Sequence, residues 1–246
     1  MSTLLIADLH LQESDTQTTE KFFHFLNERV ACSGILYILG DLFEAWIGDD
    51  DDSTFNRSII EALKNTVAKG VSIYLLPGNR DFLLGERFAK ASGVTILADP
   101  AVVEIEGVRV SLTHGNVLCT QDRLQQFFRA ISNNKCRQKL LITLIPLFIR
   151  RKLAALMRAL SKKYNKRQSE KTIDATPEAI RALMEKDHTR YLIHAHTHVA
   201  GIHPVALSNG ESGVRVVLGA WQKQGEIAIC KKSHHSSNDL EIVLEH

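Results

Sequence analysis

Short apolar runs that stop on polar residues punctuate the first half of this chain. Residues 4–7 halt at Asp8-Leu9-His10, residues 35–39 at Gly40-Asp41, and residues 71–76 at Pro77-Gly78-Asn79-Arg80-Asp81. A longer run over 101–113, with Glu106-Gly107 at its middle, halts at Thr113-His114-Gly115-Asn116. Runs of this length, rich in β-branched and aromatic residues, predict strands, and the central Glu-Gly predicts a hairpin turn. Between them the apolar spacing is helical. Residues 17–31 give Phe22, Phe23, Phe25, Leu26 and Val30 as a helical apolar face, and 54–69 place Ile59, Ile60, Leu63 and Val67 on one side, with Gly70 as the stop. A short helix over 84–92 and a brief strand over 94–97 follow. Strand–helix alternation early and strand pairing later predict an α/β fold, with sheets covered by helices.

The pattern changes near residue 121 and stays helical to about 186. Residues 140–149 are apolar except for Thr143, with Pro146 inside, Lys139 before and Arg150-Arg151-Lys152 after. A segment over 153–160 runs into Ser161-Lys162-Lys163-Tyr164-Asn165-Lys166-Arg167. Strand pattern resumes at 190–198, ending His194-Ala195-His196-Thr197-His198, and continues at 214–218, 225–230 and an edge strand at 240–244. The expected organisation is a discontinuous core, 1–121 with 177–246, and a helical cap or lid at 122–176.

Composition narrows this picture only slightly. At 246 residues, 44% hydrophobic and 24% charged, the chain fits one large domain with an insertion. A net charge of +2 gives no support to nucleic-acid binding. The four cysteines lack metal-type spacing, and the apolar stretch before Asp8 is too short for a signal peptide. No run reaches the roughly 18 apolar residues that a spanning helix needs. A cytoplasmic protein with reduced thiols is the expectation. The acidic run Asp49, Asp50, Asp51 and Asp52 is read as a solvated loop rather than a metal site. Trp46 and Trp221 are read as packing residues. Ser161 and Cys119 have no evident base nearby in sequence, so neither is read as a nucleophile.

The candidate chemistry lies at the strand ends. Asp8, His10, Asp41, Asn79, His114, His196 and His198 are oxygen and nitrogen donors without sulfur, a set suited to divalent Mn, Fe, Zn or Mg. Residues two apart in extended chain share a side, so Asp8 with His10, and His196 with His198, can each face one site. Seven donors exceed the needs of one catalytic ion, which keeps a position open. They fit two ions about 3.5–4 Å apart that share a carboxylate.

Asp8-x-His10, Gly40-Asp41, Gly78-Asn79-Arg80-Asp81, His114 and His196-x-His198 resemble, in order, the five blocks of the calcineurin-like metallophosphoesterases. That resemblance implies a sandwich of two β-sheets flanked by helices, with a dinuclear site. Further stretches are similar to the UDP-2,3-diacylglucosamine diphosphatase family of bacterial lipid A biosynthesis. These are the stretch from Tyr37 through Asp41-Leu42-Phe43-Glu44-Ala45-Trp46-Ile47-Gly48 to Asp50, then Asp81-Phe82-Leu83-Leu84-Gly85, Pro146-Leu147-Phe148 and Val217-Leu218-Gly219-Ala220-Trp221. The resemblance runs from residue 3 to about 225. It implies that Asp8, His10 and His198 hold one ion, with manganese expected, that Asn79, His114 and His196 hold the second, and that Asp41 bridges them. Asp41, Asn79, Arg80, His114 and His196 are the implied catalytic groups. Asn79, Arg80, His196, Asp122, Ser161 and Asn165 are the implied substrate contacts. Gln168 stands where the family has a contacting Lys, and Lys166, Arg167 or Lys171 could substitute. Asn116 stands where relatives usually carry Asp, and Ala195 where they carry Gly, so Ala195 is expected to resist a positive φ.

The implied reaction is water attack on the α-phosphorus of UDP-2,3-diacylglucosamine, giving UMP and 2,3-diacylglucosamine 1-phosphate (lipid X). Many metallophosphoesterases have His where this chain has Arg80. Arginine stays charged and cannot protonate a departing alkoxide. An already acidic leaving group, such as a phosphate, fits better. The apolar residues from Leu140 to Ile149, followed by basic ones, suit acyl chains and the cytoplasmic face of an inner membrane, where peripheral association is expected. No protein partner is implied. Two alternatives stay open. One is a phosphoesterase of the same fold acting on another nucleotide diester or anhydride; the other is a catalytically weakened lipid-binding or membrane-adaptor homologue.

Overall fold

The structure is a computed structural model that describes residues 2–120, 135–165, 175–197, 199–221, 225–233 and 239–245. Its frame is two facing sheets. The first has the order β11-β10-β1-β2-β3-β4. In it β1 (Thr3–Ile6), β2 (Ile35–Leu39), β3 (Ser72–Leu76) and β4 (Thr95–Ile96) run parallel. β10 (Ile227–Lys232) and β11 (Leu240–Glu245) add antiparallel at one edge. The second sheet has the order β5-β6-β7-β9-β8. There β6 (Val108–Thr113), β7 (Tyr191–His194) and β9 (Ser212–Val217) run parallel, with β5 (Ala101–Ile105) and β8 (Gly201–Ala206) antiparallel at the edges.

The continuous apolar character of β1 and β2 follows from burial on both faces. Successive side chains of a strand point to opposite faces. Leu5, Tyr37 and Leu39 therefore meet Val110, Leu112, Ile193 and Val216 between the sheets. Leu4, Ile6, Leu36 and Ile38 face the other way, onto Phe22, Phe25 and Leu26 of α1 (Thr16–Glu28), Ile59 and Leu63 of α2 (Thr54–Ala68) and Phe88 of α3 (Glu86–Ser92). Trp46 and Trp221 join this helix-side core, as packing residues should, against Phe43 and Phe25 respectively. On the second sheet, Ile180, Leu183 and Met184 of α6 (Pro177–Asp187) cover Leu192.

Between β6 and α6 the chain leaves the sheets for α4 (Lys135–Leu144) and α5 (Leu147–Asn165). The two are separated at Ile145 and Pro146, where proline has no N–H to donate to the helix. Leu141 and Ile142 pack on the helix-side core, but Leu140, Leu144, Phe148, Leu153, Leu156 and Met157 are exposed. No described helix is long and apolar enough to cross a membrane.

Several details depart from the sequence reading. β8 was not anticipated, because Pro204 interrupts its pattern; as an edge strand it tolerates proline. α3 starts at Glu86 rather than 84 because its cap is remote: the Asp49 carboxylate accepts from Gly85 N (3.0 Å) and Phe88 N (3.1 Å). The acidic run is therefore only partly a solvated loop: Asp50 and Asp52 are exposed, but three of its four carboxylates are engaged. Asp49 caps a helix and accepts from Trp46 Nε1 (3.0 Å), Asp50 pairs with Arg150, and Asp51 pairs with Arg151.

Candidate functional site

The C-terminal ends of β1, β2 and β3 in one sheet, and of β6 and β7 in the other, open onto one crevice, the usual place for a site in α/β sheets. The loops leaving them turn sharply. Asp8 (φ 53°), His10 (φ 50°), Asp41 (φ 52°) and His196 (φ 71°) all sit in the left-handed region. That conformation costs of order 1–3 kcal/mol per non-glycine residue and clusters at functional sites. Gly40 (φ 85°) has no alternative: a Cβ there would lie 2.6 Å from His114 Nδ1 and 2.8 Å from Gly78 Cα. Its bareness lets the β2, β3 and β6 loops close on one another.

The side chains converge accordingly. One ligand-type atom from each of Asp8, His10 and Asp41 lies within 4.8 Å of the others, and all three residues are buried. His10 Nε2 is 3.8 Å from Asp8 Oδ1 and 3.9 Å from Asp41 Oδ2. From the opposite sheet, His114 Nε2 is 3.8 Å from Asp41 Oδ2. Its Nδ1 lies 2.8 Å from the Leu39 carbonyl, which accepts a ring proton and turns Nε2 toward the carboxylate. The His196 ring stands edge-on to His114, centroids 5.0 Å apart, and its backbone N–H donates to Asp8 Oδ2 (3.0 Å). Asp41 also fixes the next loop, accepting from Arg80 N at 2.8 Å.

Asn79 tests whether a cation fits. The corner of its amide that faces the cluster is 2.9 and 3.2 Å from the two Asp41 oxygens and 3.2 Å from His114 Nε2. With the amide oxygen at that corner, it meets the Asp41 carboxylate acceptor against acceptor. A divalent ion reconciles such a convergence of oxygen and imidazole donors; otherwise the amide must turn its nitrogen inward. Charge points the same way. Burial works to lower the His114 pKa, but Asp41, Asp8, the Leu39 carbonyl and Asp99 outweigh it and push the group up to about 9. At His10, burial is likewise outweighed, by Glu44, Asp41 and Asp8, and the pKa rises. Burial and the neighbouring Asp41 lift the Asp81 carboxyl to about 7, although Gly78 N and Leu42 N both donate to it at 2.7 Å. This concentration of negative charge in a closed crevice attracts cations.

Asp8, His10, Asp41, Asn79, His114 and His196 are thus brought together, with Arg80 at their margin. His198, Asp122 and Gln168 lie outside the described residues. Ser161 and Asn165 fall at the end of α5, and their side chains are likewise outside what is described. Ala195 takes no positive φ, as alanine there is expected to resist one; the turn falls on His196 instead. One expectation is corrected. Arg150 is not part of an exposed basic patch: it is only 4% exposed and engaged with Asp50. At Asn116, the buried Oδ1 finds no hydrogen-bond partner among the described residues.

Sequence reasoning gave no role to Glu44. One carboxylate oxygen lies 3.3 Å from His10 Nδ1, and the other 3.8 Å from Arg80 Nη1. Its position three residues after Asp41, in a stretch already singled out for similarity, was the available signal. Asp99, which accepts from His114 N at 2.9 Å, had none.

Residues 1–200 match the calcineurin-like phosphoesterase family. A protein named UDP-2,3-diacylglucosamine hydrolase from Enterobacter sp. (strain 638) is 47% identical over 227 residues, 92% of this chain and 94% of the relative. Proteins of the same name from Salmonella arizonae and Klebsiella pneumoniae are each 45% identical over the same shares. The converging strand ends, the acceptor cluster on Asp41 and these full-length similarities agree: the chain belongs to the calcineurin-like phosphoesterase family, in the group of its UDP-2,3-diacylglucosamine hydrolases.

Proposed function

We propose that this chain hydrolyses the diphosphate of UDP-2,3-diacylglucosamine at the α-phosphorus, releasing UMP and 2,3-diacylglucosamine 1-phosphate. The observation that carries the reading is the 47% identity, across 92% of the chain, to a relative named for that substrate. In this reading Asp8, His10, Asp41 and His198 hold one divalent ion, and Asp41, Asn79, His114 and His196 hold the second, manganese being the expected metal. When bound, such ions lower the pKa of water and offset charge on phosphoryl oxygens.

The residues of the chain supply the rest. Leu39 fixes the His114 tautomer, and Glu44 orients His10. The β3 loop is held to Asp41 through Arg80 N, and the Arg80 guanidinium, steadied by Glu44, would meet equatorial phosphate oxygens as their charge grows. Asn79 and His196 flank the same place. Because arginine stays protonated, it offers charge rather than a proton, which suits a leaving phosphate and not an alkoxide. Hydrolysis of simple alkyl phosphomonoesters as fast as of the nucleotide lipid would contradict this.

Residues 122–176 are proposed as the cap for the lipid, over a core of 1–121 and 177–246, with Asp122, Ser161, Asn165 and Gln168 toward the nucleotide sugar. The exposed apolar residues of α4 and α5 lie beside exposed Lys139, Arg151 and Lys152. That combination supports acyl-chain contact and peripheral association with the cytoplasmic face of an inner membrane. Incubating purified protein with manganese and UDP-2,3-diacylglucosamine should release UMP, and Asp41→Ala should abolish the release. No UMP from the wild-type protein would reject the reading.

A further inference from the structure

Arg150 occupies a position that substrate and metal chemistry do not explain. It follows the break between α4 and α5, and its guanidinium folds back so that Nε donates to the Ile145 carbonyl at 2.8 Å. A helix C-terminus leaves carbonyls without intrahelical partners, and this bond satisfies one of them. The rest of the group reaches into the loop that follows Asp41. Nη1 donates to Ile47 O and to Asp50 Oδ1 (2.9 Å), and Nη2 donates to Asp50 Oδ2. One buried side chain thereby pins the corner of the helical insertion and docks that corner on the core. Gly48 makes room for it: its φ is 135°, and a Cβ there would collide with the Arg150 guanidinium.

The loop it grips is itself wired to the site. Trp46 N donates to Arg80 O at 2.9 Å, and Trp46 Nε1 donates to Asp49, which caps α3. Four residues of one short loop thus connect the insertion corner to the residue poised for phosphate.

We propose that Arg150 is a positioning residue: through Ile47 and Asp50 it fixes the corner of the helical insertion on the loop that follows Asp41, and so determines the affinity for the lipid substrate. The part concerning substrate rests on the function proposed above; the part concerning docking does not. Planar, bidentate geometry makes arginine hard to replace here.

The test compares wild type, Arg150→Met and Asp50→Asn as full-length proteins. Hydrogen–deuterium exchange of amides in 139–157 should rise in both variants, more in Arg150→Met. With UDP-2,3-diacylglucosamine, KM should rise about tenfold in Arg150→Met while kcat stays within about twofold, because a loss of uniform binding moves KM alone. Simple destabilisation would instead lower kcat through the active fraction at unchanged KM. The proposal is overturned if exchange in 139–157 is unchanged in both variants, or if kcat falls while KM does not move. Asp50→Asn guards against misfolding, since its carboxylate is partly exposed and its loss is the milder change. A wild-type protein that releases no UMP would sink the proposed function, and the exchange data would still decide the docking role.

Discussion

Glu44 shows how the residue scale governs the site. It touches neither sheet core nor solvent freely; its two oxygens face His10 and Arg80, one a candidate ligand and the other a candidate phosphate group. A carboxylate behind a ligating imidazole fixes the ring and raises its basicity, and its loss typically costs about 10–100-fold in metal affinity or activity. Glu44→Gln is therefore expected to retain the fold, by circular dichroism, and to lose about tenfold or more of its bound metal under limiting metal, measured by elemental analysis. Full metal content in this variant would reduce Glu44 to a surface neighbour. The position of the positive φ belongs here too. Ala195 follows β7 without strain, and His196 carries the turn, so replacing Ala195 by Gly is expected to leave activity within about twofold, as for substitutions away from special backbone positions.

At the scale of elements, the loop over 46–51 ties α3 to α5. Asp49 supplies α3 with the N-cap that Gly85 lacks, and holds the Trp46 indole as well. Removing an N-cap costs about 0.5–2 kcal/mol. Asp49→Ala should lower stability by about 1–2 kcal/mol in urea unfolding, since the indole N–H also loses its acceptor. No change would mean that α3 is held by Phe88 packing alone. α4 and α5 present the opposite case, with large apolar side chains left outward. If these helices meet a membrane, Leu144→Glu with Phe148→Glu should abolish co-sedimentation with anionic liposomes. Arg150 must be left intact in that experiment, because it serves docking rather than lipid. Undiminished sedimentation would remove α4 and α5 from membrane contact.

For the molecule as a whole, the insertion meets the core through a charged joint, Arg150 with Asp50 and Arg151 with Asp51, whose pH response can be stated. Hydrogen bonding to Arg150 holds the Asp50 carboxyl below its ordinary value of 3.8, against the opposing effect of its partial burial. A depressed folded-state pKa gives stabilisation that is fully present above the unfolded value and lost as pH falls through the folded one. Amide protection over 139–157 should therefore be the same at pH 7 and pH 5, after correction for intrinsic exchange, and should decline only below about 3.8. A decline beginning near pH 6 would point to histidine instead, and away from the Asp50–Arg150 pair.

Much of this architecture was readable in the chain. Period-two burial on both faces made β1, β2 and β3 continuous apolar runs, the Glu106-Gly107 turn declared its hairpin, and each candidate ligand among the described residues follows a strand end. Those features are local, because they depend on backbone preference and on residues within a few positions. What tertiary structure decided is contact across long separations. The cap of α3 comes from Asp49, the tautomer of His114 from Leu39, and the partner of Arg150 from Asp50, a hundred residues away. A charged residue looks alike in sequence whether it faces water or is buried against an opposite charge. Only the packing of the insertion on the 46–51 loop turned a solvated acidic run and a basic patch into the two halves of one joint.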